Sequence, residues 1–347
     1  MPDFLPGIRL NALFYEQVIE PLLGDVLHAA ARIGWGSDVL GYDSERSTDH
    51  GWGPQLLVVA SDDAVDRARQ ALDGAMPVEF RGWPVRYGWD ATPITHHVVV
   101  TSLPSWSVDR LGLDATQGLD TWDWLVLPQQ GLLEATAGAV YRDDTGELSK
   151  LRARLAWYPD DVWAWIIACQ WRRVAQEEAF VGRAAEAGDE LGSRVVAARL
   201  VRELMRLWLL LSRRYWPYSK WLGSAFRQLA GTDTVGAALC DVLAARGYAE
   251  REQALVLAYE LTGAYHNEVG VTEPVEPTTR TYHGRPYRVI GADRFVNACA
   301  PRFSAALGAL PLVGSVDQIA DSTDLLSYPE RTIVLRDFYG ALGKQKT

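Results

Sequence analysis

Residues 34–53 read GWGSDVLGYDSERSTDHGWG. The segment carries glycines and a serine near its start and acidic residues towards its end. Glycine lets backbone N–H groups approach a ligand closely, and N–H groups together with a serine hydroxyl suit phosphate oxygens. Carboxylates are ligands that Mg²⁺ prefers. The stretch therefore indicates a phosphate-handling loop followed by a candidate metal site.

Extended segments follow this loop. Residues 56–61 (LLVVAS), 78–89 (VEFRGWPVRYGW) and 96–102 (HHVVVTS) are rich in β-branched or aromatic residues and are bounded by Gly, Pro and Asp. Residues 62–72 have helical character, and residues 10–22 carry apolar residues at helical spacing. Together the patterns predict a small α+β layer.

From Trp122 onward the apolar pattern is helical. One stripe with alternating spacings of four and three predicts a helix that buries a single face against other helices. Its members are Ala197, Val201, Leu204, Trp208 and Leu211. We therefore predict three parts: an α+β domain over 1–120, a helical bundle over 121–271, and a C-terminal extension over 272–347 that packs on the bundle.

The composition restricts the class of partner. Lys and Arg total 34 against 44 Asp and Glu, which gives a net charge of -10. This balance opposes broad contact with nucleic acid and favours a small-molecule substrate. No uncharged apolar run approaches the roughly 20 residues of a membrane helix. The three cysteines are too far apart for a CxxC metal site and too few for a disulfide framework, so we expect a cytoplasmic protein. The oligomeric state stays open.

The order of these features resembles the nucleotidyltransferase superfamily, in which strand-borne carboxylates hold Mg²⁺. Residues 120–221 in addition resemble a bacterial family, domain of unknown function 4037. That family pairs a nucleotidyltransferase-like domain with a helical domain similar to that of kanamycin nucleotidyltransferases. The resemblance covers residues 4–272. It implies an α+β fold in which a nucleotidyltransferase-like mixed-sheet domain is followed by a C-terminal helical bundle.

The chain departs from the family pattern at the positions that matter for a metal. As the resemblance implies, members read close to G-S-G-S-D-V-L-G and D-H-D-W-G, with an acidic residue in the middle of the H-x-V-x-x-T strand. Here the corresponding residues are Trp35, Gly51 and Val99, and only Asp49 remains. A lone carboxylate makes a poor Mg²⁺ site, so we expect no metal and no cofactor.

An alternative set of metal ligands stays open. Acidic residues of the same loop could replace the missing ligands, and substrate phosphates supply oxygens of their own. In that case Asp49 would bind Mg²⁺ and ATP would be the cofactor. The candidates for replacement are Asp38, Asp43 and Glu45.

The resemblance implies a cleft in which the ligand binds. Tryptophans are frequent on the segments that the superfamily fold would place around this cleft, which favours an apolar or aromatic ligand over a triphosphate. Burial of the same rings in the core is the alternative. Of the adjacent His96 and His97, only one can face the cleft, because strand side chains alternate. The predicted ligand contacts are Trp35, Gly36, Ser37, Trp52 and His97.

Ionisable side chains in the cleft would suit proton transfer if metal chemistry is lost. Carboxylates and imidazoles in a partly apolar pocket act as general acids and bases. The predicted catalytic residues are Asp43, Asp49 and His50.

Arginines line one face of the predicted helix over residues 193–215. They form either a structural network of ion pairs or a site that captures an anion, and both interpretations stay open. These arginines are Arg199, Arg202, Arg206 and Arg213. By analogy with the kanamycin type, the ligand contacts predicted for the helical part are Glu178, Arg183 and Lys220.

Three functions are consistent with these observations. The first is a repurposed enzyme that performs metal-independent acid/base chemistry, such as cyclisation, dehydration or isomerisation, on a bulky apolar or aromatic compound of secondary metabolism. The second is a Mg²⁺-dependent nucleotidyltransferase that transfers a nucleoside monophosphate to a small acceptor. The third is a non-catalytic ligand-binding protein.

Overall fold

The computed structural model describes residues 3–90 and 92–344; residues 1–2, 91 and 345–347 of the predicted parts lie outside the described residues. The chain forms two compact units. Unit 1 contains the residues up to Leu119, together with Gly131–Ala156 and Ser327–Ile333. Unit 2 contains Asp120–Gln130, Trp157–Leu326 and the residues from Val334 on.

Strands and helices alternate in the first part of the chain, and helices dominate after it. The strands are β1 (His28–Arg32), β2 (Gln55–Ala60), β3 (Glu79–Phe80), β4 (Trp83–Pro84), β5 (Arg86–Trp89), β6 (Thr92–Thr101), β7 (Ala139–Asp143), β8 (Arg280–Tyr282) and β9 (Arg285–Val289). The helices up to residue 186 are α1 (Gly7–Phe14), α2 (Glu20–Leu23), α3 (Asp62–Asp73), α4 (Leu103–Leu111), α5 (Thr121–Val126), α6 (Gln129–Thr136), α7 (Glu147–Leu155), α8 (Asp160–Glu177) and α9 (Phe180–Glu186). The later helices are α10 (Glu190–Leu211), α11 (Ser219–Arg227), α12 (Asp233–Ala244), α13 (Tyr248–Val269), α14 (Asp293–Cys299), α15 (Ala305–Gly308), α16 (Val316–Ile319), α17 (Thr323–Leu326), α18 (Pro329–Thr332) and α19 (Arg336–Lys344).

Unit 1 contains a mixed five-stranded sheet in the order β5-β6-β2-β1-β7. Strand β2 is antiparallel to β1 and parallel to β6, with Gln55 opposite His97 and Leu57 opposite Val99. Every residue of β1 and β2 is buried, as expected for the central strands of a covered sheet. The predicted α+β fold class is confirmed.

Strand β7 differs from the prediction, because it lies within the range that was assigned to the helical bundle. It pairs antiparallel with β1 at the edge of the sheet, so residues 131–156 belong to unit 1. The strand is only five residues long and lies between helical segments, and the helical periodicity of its neighbours conceals it.

One face of the sheet in unit 1 is covered by the N-terminal helix. Helix α1 continues through a π-helical turn (Tyr15–Ile19) into α2. Leu10 and Phe14 are fully buried and belong to the same apolar core as Val58 of β2. This packing places the loop between β1 and β2 at one end of the sheet.

Unit 2 is a helical bundle around α8, α10 and α13. Helix α8 packs against α10 and α14, and α12 packs against α13. All five residues of the predicted stripe on α10 are buried, which confirms that helix and its inward face. Among the described residues, no helix combines the length and the apolar character that a membrane span requires.

Candidate functional site

A buried ion pair fixes the loop that follows β1. Arg32 donates from Nε and Nη2 to the two carboxylate oxygens of Asp38, at 2.7 Å each. The same guanidinium donates to the carbonyl oxygens of Ile33 at 3.2 Å and Trp35 at 2.9 Å. Because a bidentate pair with further hydrogen bonds offsets the cost of burying both charges, Asp38 has a structural role here.

Gly36 is required by this ion pair. Its φ is +137°, and a β-carbon at this position would lie 2.3 Å from Arg32 Nη2 and 2.4 Å from Asp38 Oδ1. The close approach of the ion pair explains the glycine without a phosphate ligand. Ser37 follows in the loop, and its carbonyl oxygen accepts the N–H of Tyr42 at 2.8 Å.

Indole rings surround the position at which the family pattern has its second carboxylate. Gly51 has a φ of +60°, and a β-carbon there would lie 3.0 Å from Cζ3 of Trp35 and 3.5 Å from Cε2 of Trp89. The two indoles contact each other, with ring centroids 5.2 Å apart. An aspartate at position 51 would therefore need a left-handed backbone and a displaced indole.

A cavity of about 190 Å³ lies beside these rings in unit 1. Its lining is mixed, because half of the lining residues are polar or charged and the other half are aromatic or aliphatic. The lining includes Trp35, Gln55, Leu57, His97, Val99, Thr101, Trp106, Asp109 and Arg110. We call it the indole cavity.

His97 is the histidine of β6 that faces the indole cavity. Its Nε2 lies 2.8 Å from the carbonyl oxygen of Tyr87, so Nε2 carries the proton and Nδ1 is the acceptor in the neutral ring. Burial lowers the pKa of His97, which keeps the ring neutral at pH 7. His96 points to the opposite face, where its Nε2 lies 3.1 Å from the carboxylate of Asp73.

Five polar lining residues of the indole cavity were not predicted from the sequence: Arg32, Gln55, Thr101, Asp109 and Arg110. Gln55 is buried at the start of β2, and Asp109 and Arg110 lie on α4. A β-carbon at Gly34 would lie 3.8 Å from Cζ of Arg110, which places this cation against the loop. The sequence carried only a weak signal for these residues. Gln55 is a polar residue that precedes an apolar run, and an Asp-Arg pair such as Asp109 and Arg110 is common on exposed helix faces.

Asp43 and Trp52 lie together outside the indole cavity. Asp43 Oδ2 accepts the N–H of Gly7 at 2.7 Å and the indole N–H of Trp52 at 3.1 Å. Trp52 is 6% exposed and packs against Phe4 and Trp83. The structure therefore places Trp52 in the core of unit 1 and gives Asp43 the role of an anchor between loop and helix.

Asp49 and His50 are exposed at the end of a short 3₁₀ turn. Asp49 and Val99, which occupy two of the family's carboxylate positions, line different cavities. Asp49 lines a wider depression of about 1060 Å³ together with Glu45, and Val99 lines the indole cavity. His50 lies 3.7 Å from the exposed carboxylate of Asp90. Within residues 3–90 and 92–344, no three His, Cys, Asp or Glu side chains are grouped to hold a metal ion. At the family positions, Asp49 carries a carboxylate, whereas Gly51 and Val99 have no side-chain donor for a metal ion.

The predicted ligand contacts of the helical part lie in unit 2. Glu178 accepts the backbone N–H groups of Gly291 at 2.9 Å and Ala292 at 3.1 Å, and burial raises its pKa to about 7. These two hydrogen bonds connect the C-terminal extension to the end of α8. Arg183 and Lys220 lie over aromatic rings of their own helices, at 5.5 Å and 4.8 Å from the ring centroids.

Comparison with known proteins supports the family resemblance. Residues 124–222 match the family described as Domain of unknown function (DUF4037). No curated protein matches the chain. A solved nucleotidyltransferase-like protein from Exiguobacterium sibiricum 255-15 is 12% identical over 80% of this chain and 82% of that chain, with a TM-score of 0.33. Residues 124–222 are therefore similar to the DUF4037 family, the family that the sequence resembles over residues 120–221.

Proposed function

We propose that unit 1 is a nucleotidyltransferase-like scaffold whose metal pocket has become a site for a small apolar or aromatic molecule. Trp35 carries this proposal. Its indole lies against Gly51 and lines the same cavity as Val99, so it contacts or adjoins two positions that bear carboxylates in the family pattern. A cavity of about 190 Å³ favours a small ring compound over a bulky one.

Proton transfer is the chemistry that the polar groups of the indole cavity support. Nε2 of His97 donates to Tyr87, which leaves Nδ1 as the atom that can take a proton from a ligand. Arg110 supplies a cation and Gln55 an amide to orient polar atoms of that ligand. We therefore assign the base to His97 in place of Asp43, Asp49 and His50, and the reaction class is cyclisation, dehydration or isomerisation without a metal.

The proposal predicts that the protein gains a metal site only when the family pattern is restored. We expect the wild type to bind Mn²⁺ no tighter than about 1 mM, because too few carboxylates converge. The triple variant Trp35→Ser, Gly51→Asp, Val99→Glu is expected to bind Mn²⁺ at least about tenfold tighter, which is about 1.4 kcal/mol. Electron paramagnetic resonance of free Mn²⁺ measures both.

A matched variant separates the restored site from added charge. The control is the triple variant Thr92→Glu, Val78→Asp, Trp35→Ser, which adds the same two carboxylates at other positions of unit 1. We expect it to bind Mn²⁺ no more tightly than the wild type.

Wild-type protein that binds Mn²⁺ with ATP at micromolar concentration would refute the proposal in favour of nucleotidyl transfer. A wild-type cavity that binds indole or phenol, detected by quenching of tryptophan fluorescence, is the expected positive result.

A further inference from the structure

Unit 2 carries a groove that the proposed function does not use. It has a volume of about 680 Å³ and is lined by residues of α8, α10 and α16 and by Asp321, which follows α16. Val195 and Ile319 are apolar lining residues with half or nearly half of their surface exposed. The charged lining residues are Arg173, Arg199, Arg202 and Asp321.

A buried carboxylate gathers arginines beside this groove. Glu203 accepts from Arg173 Nε at 3.0 Å and from Arg202 Nη2 at 3.1 Å, and Arg206 Nη1 lies 3.9 Å away. The side chain of Glu203 is 3% exposed, so its charge is held in place. One buried carboxylate thus faces three guanidinium groups, and Asp321 is a further carboxylate partner of two of them.

An exposed carboxylate, that of Asp321, contacts two of these arginines from the solvent side. Asp321 lies 2.9 Å from Nη1 of Arg202 and 3.7 Å from Nη2 of Arg206. Its side chain is 62% exposed, and an ion pair in water contributes little to stability. A second oxyanion that also covers apolar surface can therefore displace it at low cost.

We infer that this groove binds a small organic oxyanion on a short apolar body. The oxyanion takes the position of the Asp321 carboxylate on Arg202 and Arg206, and the apolar body covers Val195 and Ile319. Asp321 is then an internal competitor of the ligand. If Asp321 competes with the ligand, its carboxylate must weaken ligand binding. If Asp321 has only a structural role, its carboxylate has no such effect, so the affinity for the ligand distinguishes the two.

Hexyl phosphate and hexanoate are suitable probes, and isothermal titration calorimetry at about 0.1 M salt measures their affinity. Asp321→Asn is expected to bind both about fivefold tighter than the wild type, because it removes the competing charge. Arg202→Gln is expected to bind at least about tenfold more weakly, because a charge-assisted hydrogen bond is lost. Circular dichroism checks that each variant is folded.

Asp293→Asn is the matched control, since Asp293 forms an exposed ion pair with Arg172 at 2.6 Å elsewhere on unit 2. It changes the net charge by the same amount and is expected to leave the affinity unchanged. Equal affinities of Asp321→Asn and Asp293→Asn would overturn the inference, as would the absence of binding at 10 mM probe, roughly the weak limit of a specific site. Inorganic phosphate should bind more weakly than hexyl phosphate; equal binding would overturn the contribution of the apolar surface.

Discussion

Replacing Asp38 by asparagine is expected to destabilise unit 1 by about 3–5 kcal/mol. The substitution keeps the shape of the side chain but leaves the guanidinium of Arg32, whose side chain is 5% exposed, without its counter-charge. The same guanidinium donates to the carbonyl oxygen of Trp35, so the loop would lose the carboxylate that holds this donor in place. Urea unfolding followed by tryptophan fluorescence measures the effect, because Trp35 and Trp89 are in contact.

Asp66→Asn is the control for this prediction. It makes the same chemical change in unit 1, where Asp66 lies 3.6 Å from Arg69 in an exposed pair. We expect a cost below about 1 kcal/mol there, because solvent screens the pair. If both variants lost equally little stability, the ion pair of Arg32 and Asp38 would not be what fixes the loop.

The sequence was sufficient to predict the strands and helices whose buried residues recur at a regular spacing. Residues 56–61 and 96–102 were predicted to be extended, and they fall almost entirely within β2 and β6. The stripe on α10 was predicted because burial of one helix face imposes a period that the residues themselves display. Strand β7 lacked such a pattern, since a five-residue edge strand is stabilised by its pairing with β1 rather than by its own periodicity.

The site was less predictable, because its geometry depends on residues far apart in the sequence. Trp35 was expected in a pocket and lines the indole cavity. Trp52 was expected beside it but packs against Phe4 and Trp83, which only the fold brings near. His97 was predicted as a ligand contact, and it lines the indole cavity, whereas the neighbouring His96 points to the opposite face of β6.

Acidification is expected to remove about 3 kcal/mol of stability that the neutral His266 contributes to unit 2. This ring is buried, its Nδ1 accepts the indole N–H of Trp171 at 3.2 Å, and its Nε2 lies 3.0 Å from Thr272 Oγ1. Burial lowers its pKa from 6.5 to about 4. The unfolded chain therefore binds a proton more readily than the folded chain between these values, so the contribution is complete above pH 6.5 and is lost as the pH falls through 4.

A variant is needed to isolate this effect, because other buried groups titrate over the same range. Burial raises the pKa of Glu178 to about 7 and that of Asp317 to about 6, and both become neutral on acidification, which favours the folded state. His266→Gln retains a hydrogen-bonding side chain but does not titrate. We expect the gap in unfolding free energy between wild type and variant to narrow by about 3 kcal/mol from pH 7 to pH 4. Urea unfolding followed by circular dichroism measures it, and a gap independent of pH would contradict a neutral, buried His266.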